Sequence, residues 1–254
     1  MSDGMRFRSF LIFDGYLILR AAMMLMLLAV WTRLEVVAEE SDSQHRKMVL
    51  FDGLSMNAWD CREGAWVIDE DNVLTCQMEE VTQKSGKTRL RGMGYLWTRA
   101  SFQDFVLTLD YKLSKGANSG IFFRTDPTDP VQSGFEIQLL DDAGFASTKG
   151  MLEAKKRNGS LYDCQAPRLN SARESGQWNR LSLTCQGPNV LIAINGQQVN
   201  QVDLSKWKEA GKNPDGTRNK FRTALSELPS VGKIGFQNHG RQVWFRDVRL
   251  QVSP

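Results

Sequence analysis

Residues 116–124, with the sequence GANSGIFFR, and residues 135–142, with the sequence FEIQLLDD, decide the fold of this chain. Each stretch is an apolar run typical of β-strands, with polar side chains set at alternate positions. Because alternate residues of a strand share a face, Glu136 and Gln138 point to one side, opposite the apolar residues between them. Residues 236–246, FQNHGRQVWFR, repeat this pattern. Three such stretches in one chain favour a sheet that binds a polar ligand over a merely solvated outer face.

Further short motifs follow one another in a definite order along the chain. They are LFDG at 50–53 with Trp59, NSGIFFR at 118–124, EIQLLD at 136–141, GSLY at 159–162 with AP at 166–167, GQWN at 176–179, NG at 195–196 and GFQNHG at 235–240. In these motifs, and from Val49 to Val252, the chain resembles the 3-keto-disaccharide hydrolase domain family, long catalogued as a domain of unknown function. It departs from the family at Asn238, where Asp is common, and over residues 151–156, which are unusually basic.

The order of strand and turn signals predicts an all-β fold. Many short strands with few helices fit a jelly-roll sandwich of two antiparallel sheets, and about 200 residues suit one such domain. The resemblance implies the concanavalin A-like version, in which a curved sheet presents a concave face. We expect residues 48–254 to form this domain, with its strongest hairpin signal at Asn195-Gly196. Residues 77–93 are expected to be a long exposed loop, and residues 142–160 show no clear period.

The N-terminal region has the features of an export signal. Arg6, Arg8 and Arg20 precede an apolar run over 21–31, and small residues end at Ala38, so residues 1–38 are predicted to be a cleaved signal peptide. The apolar run is too short for a stable membrane span, which needs about 20 residues, although an uncleaved anchor is the alternative. Residues 39–47 are predicted to be a flexible tether. The resulting localisation is periplasmic or extracellular.

Charge and cysteine content limit the partners of the chain. Residues 1–38 hold four arginines and three acids, which leaves 28 basic and 26 acidic residues in the remainder. No basic cluster is interleaved with aromatic residues, so we expect no nucleic-acid partner. Export permits disulfides, and the four cysteines allow three pairings that sequence cannot separate. Cys185 lies in an apolar strand and fits equally well as a buried thiol.

Three residues are candidates for catalysis. His239 titrates near neutral pH and follows a strand, where loops commonly carry function, although a turn-capping histidine is the plain alternative. Glu136 is the best-placed carboxylate. Arg124 ends its strand and could pair with Glu136 or orient a carbonyl oxygen, or it could form a structural ion pair. Candidates for substrate binding are Gln138, Asp141, Tyr162, Gln237 and Trp97, and Trp178 and Trp244 are either stacking or core residues.

The distribution of acids bears on the reaction. A retaining glycosidase needs two carboxyl groups about 5–5.5 Å apart, but the position beside Glu136 on its face is Gln138. The substrate that the resemblance implies needs only one base, because a ketone at carbon 3 of a glycoside acidifies the hydrogen at carbon 2. Proton abstraction, elimination of the group at carbon 1 and hydration would then cleave an oligosaccharide or glycoside. We favour His239 as the base and Glu136 as the acid or orienting group.

Two other functions are also compatible with the sequence. No residues are assigned to a metal site. A non-catalytic carbohydrate-binding module would have the same fold without convergence of His239 and Glu136. A structural cell-surface sandwich would lack a polar cleft. Only two histidines are present and no Cys-x-x-Cys pair, so no zinc site is expected. No cofactor is predicted, and the oxygen ligands for a divalent cation would come from Asp126, Asp129, Asp141 and Asp142, whose spacing matches no calcium loop.

Overall fold

Short strands make up most of residues 46–252, the part of the chain that the computed structural model describes. Within this part there are fifteen strands and one α-helix. They are β1 (Arg46–Phe51), β2 (Trp59–Asp60), β3 (Trp66–Ile68), β4 (Leu74–Cys76), β5 (Met78–Thr82), β6 (Thr88–Gly92), β7 (Leu96–Thr98), β8 (Phe105–Leu113), β9 (Asn118–Thr125), β10 (Phe135–Leu140), α1 (Asp142–Lys149), β11 (Asn179–Gln186), β12 (Asn189–Ile194), β13 (Gln197–Asp203), β14 (Lys233–Phe236) and β15 (Val243–Val252).

The strands form two main antiparallel sheets. The eight-stranded sheet has the order β13-β12-β11-β8-β15-β4-β3, with β1 added beside β15. The five-stranded sheet has the order β10-β9-β14-β7-β2, and β5 and β6 form a separate two-stranded hairpin. Hairpin neighbours such as β12 and β13 alternate in these sheets with strands that are distant in sequence, as β8 beside β15 and β9 beside β14 show. The fold is therefore the expected all-β, concanavalin A-like jelly-roll sandwich.

The hydrophobic core lies between the two sheets. β8 alternates strictly between buried and half-buried positions, so one of its faces packs inward along its whole length. From the five-stranded sheet, the core receives Phe135, Ile137 and Leu139 of β10, as the alternation of FEIQLL predicts. Burial of each such side chain stabilises the fold by about 1.5–3 kcal/mol. The opposite face of β10 is thereby left to Glu136 and Gln138.

Local turn chemistry agrees with the sequence at the hairpins. Asn195 and Gly196 join β12 to β13 with φ values of 52° and 78°. Both values lie in the left-handed region, which Asn and Gly adopt most easily, so the predicted Asn-Gly hairpin is confirmed. β3 and β4 form another hairpin, with Ile68 opposite Leu74.

Two segments differ from the sequence-based expectation. Residues 77–93 are not an irregular loop, because β5 and β6 pair from Met78 opposite Gly92 to Thr82 opposite Thr88. This hairpin is polar on both faces and exposed, so it shows none of the apolar alternation that marks a half-buried strand. Residues 142–160 contain α1 and a 3-10 turn at Ala154–Lys156. Strand β6 and helix α1 both contribute residues to the lining of a cavity that is described below.

The first described strand overlaps the end of the predicted tether. β1 begins at Arg46, so the last two residues of the predicted tether, Arg46 and Lys47, lie in a strand instead. The predicted signal peptide and the rest of the tether lie outside the described residues. Within residues 46–252, no helix is long and apolar enough to cross a membrane. All four cysteines are free thiols, and burial raises the pKa of Cys76 to about 11 and of Cys164 and Cys185 to about 12.

Candidate active site

One face of the five-stranded sheet is turned away from the core, and we call it the site face. Glu136 of β10 lies opposite Phe122 of β9, which lies opposite Gly235 of β14, which in turn lies opposite Trp97 of β7. Cross-strand partners share a face, so these four residues form one row across the sheet. Gln138 belongs to the next row, opposite Gly120. The site face therefore combines polar side chains, aromatic rings and glycine.

Two glycines make room for the large side chains of the site face. A Cβ atom at Gly120 would lie 2.3 Å from Oε1 of Glu136, and one at Gly235 would lie 2.2 Å from the ring of Trp97. Neither distance is tolerable for non-bonded carbon. The Glu136 carboxylate and the Trp97 indole therefore lie flat across neighbouring strands instead of projecting away from them.

Glu136 is almost completely enclosed. Its side chain is 6% exposed, its Oε1 accepts a hydrogen bond from Nε2 of Gln237 at 2.9 Å, and its Oε2 lies 3.6 Å from Nζ of Lys220. Burial raises the pKa of Glu136 from its usual value of 4.5 to about 7, although Lys220 and Gln237 both act to lower it. A carboxyl group with a pKa near neutrality can both accept and release a proton under ordinary conditions.

Lys220 is a site residue that the sequence analysis missed. Its ammonium group lies 4.5 Å from the centre of the Tyr162 ring and 5.4 Å from that of Phe221, in addition to its contact with Glu136. It comes from the charged, glycine- and proline-containing segment between β13 and β14, 84 positions after Glu136. No periodicity or motif there marks a site, so no local signal could have identified it.

Aromatic rings border Glu136 on two sides. The Tyr162 backbone N–H donates to the carbonyl oxygen of Glu136 at 2.9 Å, which fixes this predicted binding residue beside the carboxylate. On the other side, the rings of Tyr95, Trp97 and Phe122 lie 5.4–6.0 Å apart in a cluster. Burial and then the nearby Glu136 raise the pKa of both tyrosines. The half-buried rings of Tyr95, Trp97 and Tyr162 are suitable surfaces for pyranose rings, whereas Phe122 is buried beneath its neighbours.

The side chains of Gln237 and Gln138 form hydrogen bonds to other residues of the site face. Gln237 donates to Glu136, while its own buried Oε1 has no hydrogen-bond partner within residues 46–252. A buried acceptor without a hydrogen-bond donor is uncommon in folded proteins. Gln138 donates from Nε2 to Oδ1 of Asn118 at 3.0 Å. Asn118 in turn lines a neighbouring cavity.

This neighbouring cavity has a volume of about 730 Å³ and contains His239. Tyr95 and Asn118 form its border with the site face, and the hairpin of β5 and β6 and helix α1 form other parts of its wall. His239 is exposed, and no hydrogen bond or ion pair joins it to Glu136. Asn238, the departure from the family pattern, is buried and ties the hairpin to the end of β14 by donating to the carbonyl oxygen of Gln77 at 2.6 Å.

Arg124 does not lie in the site. Its backbone has a φ of 51°, and its side chain, which is 2% exposed, donates to the carbonyl oxygens of Gln103 and Gly187 and to Oδ1 of Asp104. The expected pairing with Glu136 is therefore wrong. The left-handed backbone turns Arg124 out of the alternation of β9, and its guanidinium joins the two sheets at their edge. Of the two roles that the sequence left open, the structural ion pair is the one present.

Asp141 also has a structural role that its sequence position concealed. It is the N-cap of α1, with its carboxylate accepting hydrogen bonds from the backbone N–H groups of Gly144 and Gly116. Trp178 and Trp244 are neither core residues nor part of the site, because they lie half-buried on the eight-stranded sheet on either side of the Lys112 ammonium group. Within the described residues, no group of three His, Cys, Asp or Glu side chains could hold a metal ion.

Comparison with known proteins identifies the family. The family of the 3-keto-alpha-glucoside-1,2-lyase-like domain matches residues 47–251. The chain belongs to this family. The match spans the whole sandwich, including Glu136, Lys220, Gln237 and His239, and so the resemblance noted from the sequence motifs is confirmed.

Individual members of the 3-keto-alpha-glucoside-1,2-lyase-like family and related folds agree with this assignment. The chain is 26% identical over 230 residues to the 3-keto-disaccharide hydrolase of Bacteroides thetaiotaomicron, covering 81% of this chain and 78% of that protein. A Parabacteroides distasonis protein provisionally described as a glycosyl hydrolase superposes with a TM-score of 0.69 at 27% identity, over 81% of this chain and 98% of the other. A second one, at 20% identity and a TM-score of 0.63 over 85% and 97%, shares the fold.

The pKa of Glu136 predicts a pH dependence of stability. Between about pH 4.5 and 7 the folded protein retains a proton that the unfolded chain has released. The resulting stability is fully present below about pH 4.5 and is lost as pH rises through 7, at most about 3 kcal/mol. Replacing Glu136 by Gln should remove this loss. Chemical denaturation of both proteins at pH 5 and pH 8 measures it, and an equal pH slope in the two proteins would contradict the pKa.

Proposed function

We propose that this chain cleaves the glycosidic bond of 3-keto-glycosides by proton abstraction at carbon 2, elimination and hydration. The observation that carries the proposal is a single buried carboxyl group, Glu136, with a pKa of about 7 and a lysine ammonium group beside it. The curated relative named 3-keto-disaccharide hydrolase supports the choice of substrate. A second acid is not needed for this chemistry, which agrees with the amide side chains of Gln138 and Gln237 next to Glu136.

The reaction balances with one base and one proton source. The Glu136 carboxylate takes the proton from carbon 2, and the electrons of that C–H bond form an enolate with the carbonyl group at carbon 3. The enolate then re-forms the ketone, carbon 1 and carbon 2 become doubly bonded, and the C–O bond to the leaving group breaks. The leaving oxygen gains the proton that Glu136 removed from carbon 2, which returns Glu136 to its carboxylate form. Addition of water across the double bond places a hydroxyl group on carbon 1 and a hydrogen on carbon 2.

The surrounding residues suit this sequence of steps. Lys220 lies 3.6 Å from the Glu136 carboxylate, and in the enolate the negative charge develops on the oxygen of the carbon adjacent to the one that loses its proton. A fixed cation there stabilises the charge where it forms. Tyr162 and the rings of Tyr95 and Trp97 bound the space for the sugar. In this assignment Glu136 replaces His239 as the base, because His239 lies exposed in the neighbouring cavity.

A label experiment tests the mechanism. The protein is incubated in deuterated water with a 3-keto-disaccharide and, separately, with its unoxidised parent sugar. Deuterium at carbon 2 of the released sugar, seen in the oxidised substrate only, is the expected result. An incubation of the product alone corrects for spontaneous exchange next to the ketone. Equal cleavage of both sugars without label at carbon 2 would indicate an ordinary glycosidase, and binding without cleavage would indicate a carbohydrate-binding module.

Export also belongs to this proposal. The basic start, the apolar run over 21–31 and the small residues up to Ala38 support removal of a signal peptide. The expected mature N-terminus is near Glu39, which mass spectrometry of the protein from its native host measures. Recovery of residues 10–31 in the mature chain would instead indicate a membrane anchor.

A further inference from the structure

The cavity next to the site face carries charge of one sign. Its lining includes Arg89, Arg91, Lys149 and Arg241 together with His239, and none of the described residues that line it is Asp or Glu. We call this space the basic cavity. Side chains of one sign around a concave surface concentrate the electrostatic potential inside it. The chain as a whole has a formal net charge of only +3, so this grouping is local.

Most of this charge is not neutralised by neighbouring acids. Arg241 donates to the backbone carbonyl oxygen of Lys115, and Lys149 lies over the Phe145 ring at 5.4 Å. Arg89 has no ion pair within residues 46–252. Arg91 is the exception, with its Nη2 2.6 Å from Oε1 of Glu79, a carboxylate that Arg62 also contacts. At least three cationic groups therefore remain available to a ligand.

The Asp141 carboxylate, which lies behind the cavity wall, already accepts hydrogen bonds from the protein backbone. Asp141 lies next to Gly116, which lines the cavity, but its two oxygens accept hydrogen bonds from the N–H groups of Gly116 and Gly144. These bonds hold the wall in place and draw the negative charge into the start of α1. The cationic groups thus face the cavity without an opposing carboxylate in its lining.

The basic cavity borders the site face at Tyr95 and Asn118. Tyr95 lines the cavity and packs against Phe122, which lies opposite Glu136 in the sheet, and Asn118 lines the cavity and accepts a hydrogen bond from Gln138. Along β9, Asn118 is two same-face positions from Phe122, a separation of about 13 Å. A ligand that reaches both Glu136 and the cavity therefore places its distal part, not its reacting carbons, among the cations.

We propose that the basic cavity binds an anionic substituent, a carboxylate or sulfate, on the sugar unit that leaves, not on the unit whose carbon 2 loses its proton. The inference rests on the proposed function in one respect, that a sugar occupies the site face. Arginine supplies several donors in one plane and binds carboxylate and sulfate oxygens in pairs, so Arg89 and Arg241, with Lys149 in the same lining, suit these groups. The preferred substrate is then an acidic or sulfated glycoside.

The test measures binding in the absence of turnover. Glu136→Gln in the full chain is titrated by calorimetry with β-1,4-linked glucosyl-glucuronic acid, whose carboxylate lies on the leaving unit, with cellobiose, which has the same linkage but no charge, and with inorganic sulfate. We expect the charged disaccharide to bind about tenfold tighter than cellobiose, with a difference that shrinks in high salt. Adding Arg89→Gln and Arg241→Gln should weaken the charged probe about three- to tenfold each and leave cellobiose unchanged.

One control variant tests whether loss of any exposed arginine changes the affinity, and several outcomes would overturn the inference. Arg249→Gln removes an exposed arginine paired with Asp247 on the eight-stranded sheet and should change neither affinity. Equal affinities for the two disaccharides, no binding of the charged one, or a preference that survives both cavity substitutions would overturn the inference. Sulfate binding as tight as that of the charged disaccharide would reduce the cavity to a simple anion site and also overturn it. Because no cleavage is measured, failure of the proposed reaction leaves this result readable.

Discussion

Replacement of Glu136 by Gln is expected to lower turnover of a 3-keto-disaccharide by a factor of about 10²–10⁴, the usual contribution of a general base. Glutamine has the same shape and can keep a hydrogen bond with Gln237, but it cannot accept the carbon-2 proton. The substrate affinity should change far less than the turnover number, since the loss falls on proton transfer. Steady-state kinetics at pH 8, where the wild-type carboxyl group is ionised, measures both quantities.

The same prediction extends to the pH profile. A base with a pKa of about 7 must be ionised, so wild-type activity should rise with pH through this value and then level off. Glu174→Gln is a matched control, because Glu174 is an exposed carboxylate between α1 and β11 without a side-chain ion pair in the described region. A Glu136→Gln enzyme that keeps more than about a tenth of wild-type turnover would rule out Glu136 as the base.

Replacement of Lys220 by Met is expected to lower turnover by a factor of about 10²–10³, the cost of removing one fixed charge-stabilising group. Methionine keeps much of the aliphatic stem over Tyr162 and Phe221 but lacks the ammonium group. Because Lys220 lowers the pKa of Glu136, its loss should also move the acidic limb of the pH profile upward. Kinetics over a pH series measures both effects, and a purely structural role for Lys220 would not shift the limb.

Lys208→Met is the matched control for this variant. Lys208 is an exposed lysine of the same segment between β13 and β14, so its loss tests whether any added methionine there disturbs the fold. Lys220→Arg should restore part of the activity, since it keeps the charge in a bulkier shape. Full activity of Lys220→Met with an unchanged pH profile would remove Lys220 from the mechanism.

The outcome at Glu136 bears on the choice between an enzyme and a carbohydrate-binding module. A module needs aromatic surfaces and hydrogen bonders, and the half-buried rings of Tyr95, Trp97 and Tyr162 would meet that need. It gains nothing from a buried carboxyl group next to a lysine, because burying such a group without a chemical role costs stability above its pKa. A protein under no catalytic requirement would be more stable with glutamine at this position.

Alternation along β10 made part of the site predictable. The period of two placed Phe135 and Leu139 in the core and Glu136 and Gln138 on the opposite face, and the structure has this arrangement. The same reasoning failed at Arg124, because a single residue with positive φ breaks the alternation and sends the side chain to Asp104. Asp141 caps α1, a role that sequence does not separate from ligand binding, because a capping carboxylate and a binding carboxylate have the same appearance in sequence.

The amino-acid sequence by itself determined the sandwich, its principal hairpins and the inward face of β10, because these depend on interactions between residues close in the chain or on simple alternation. Only the tertiary structure decided that Lys220 lies against Glu136, that burial raises the pKa of that carboxyl group to about 7, and that His239 lies among arginines from separate elements. Each of these properties depends on which distant segments meet across a sheet and on how much water they exclude. Neither the contacts between distant segments nor the exclusion of water can be predicted from residues that are close in sequence.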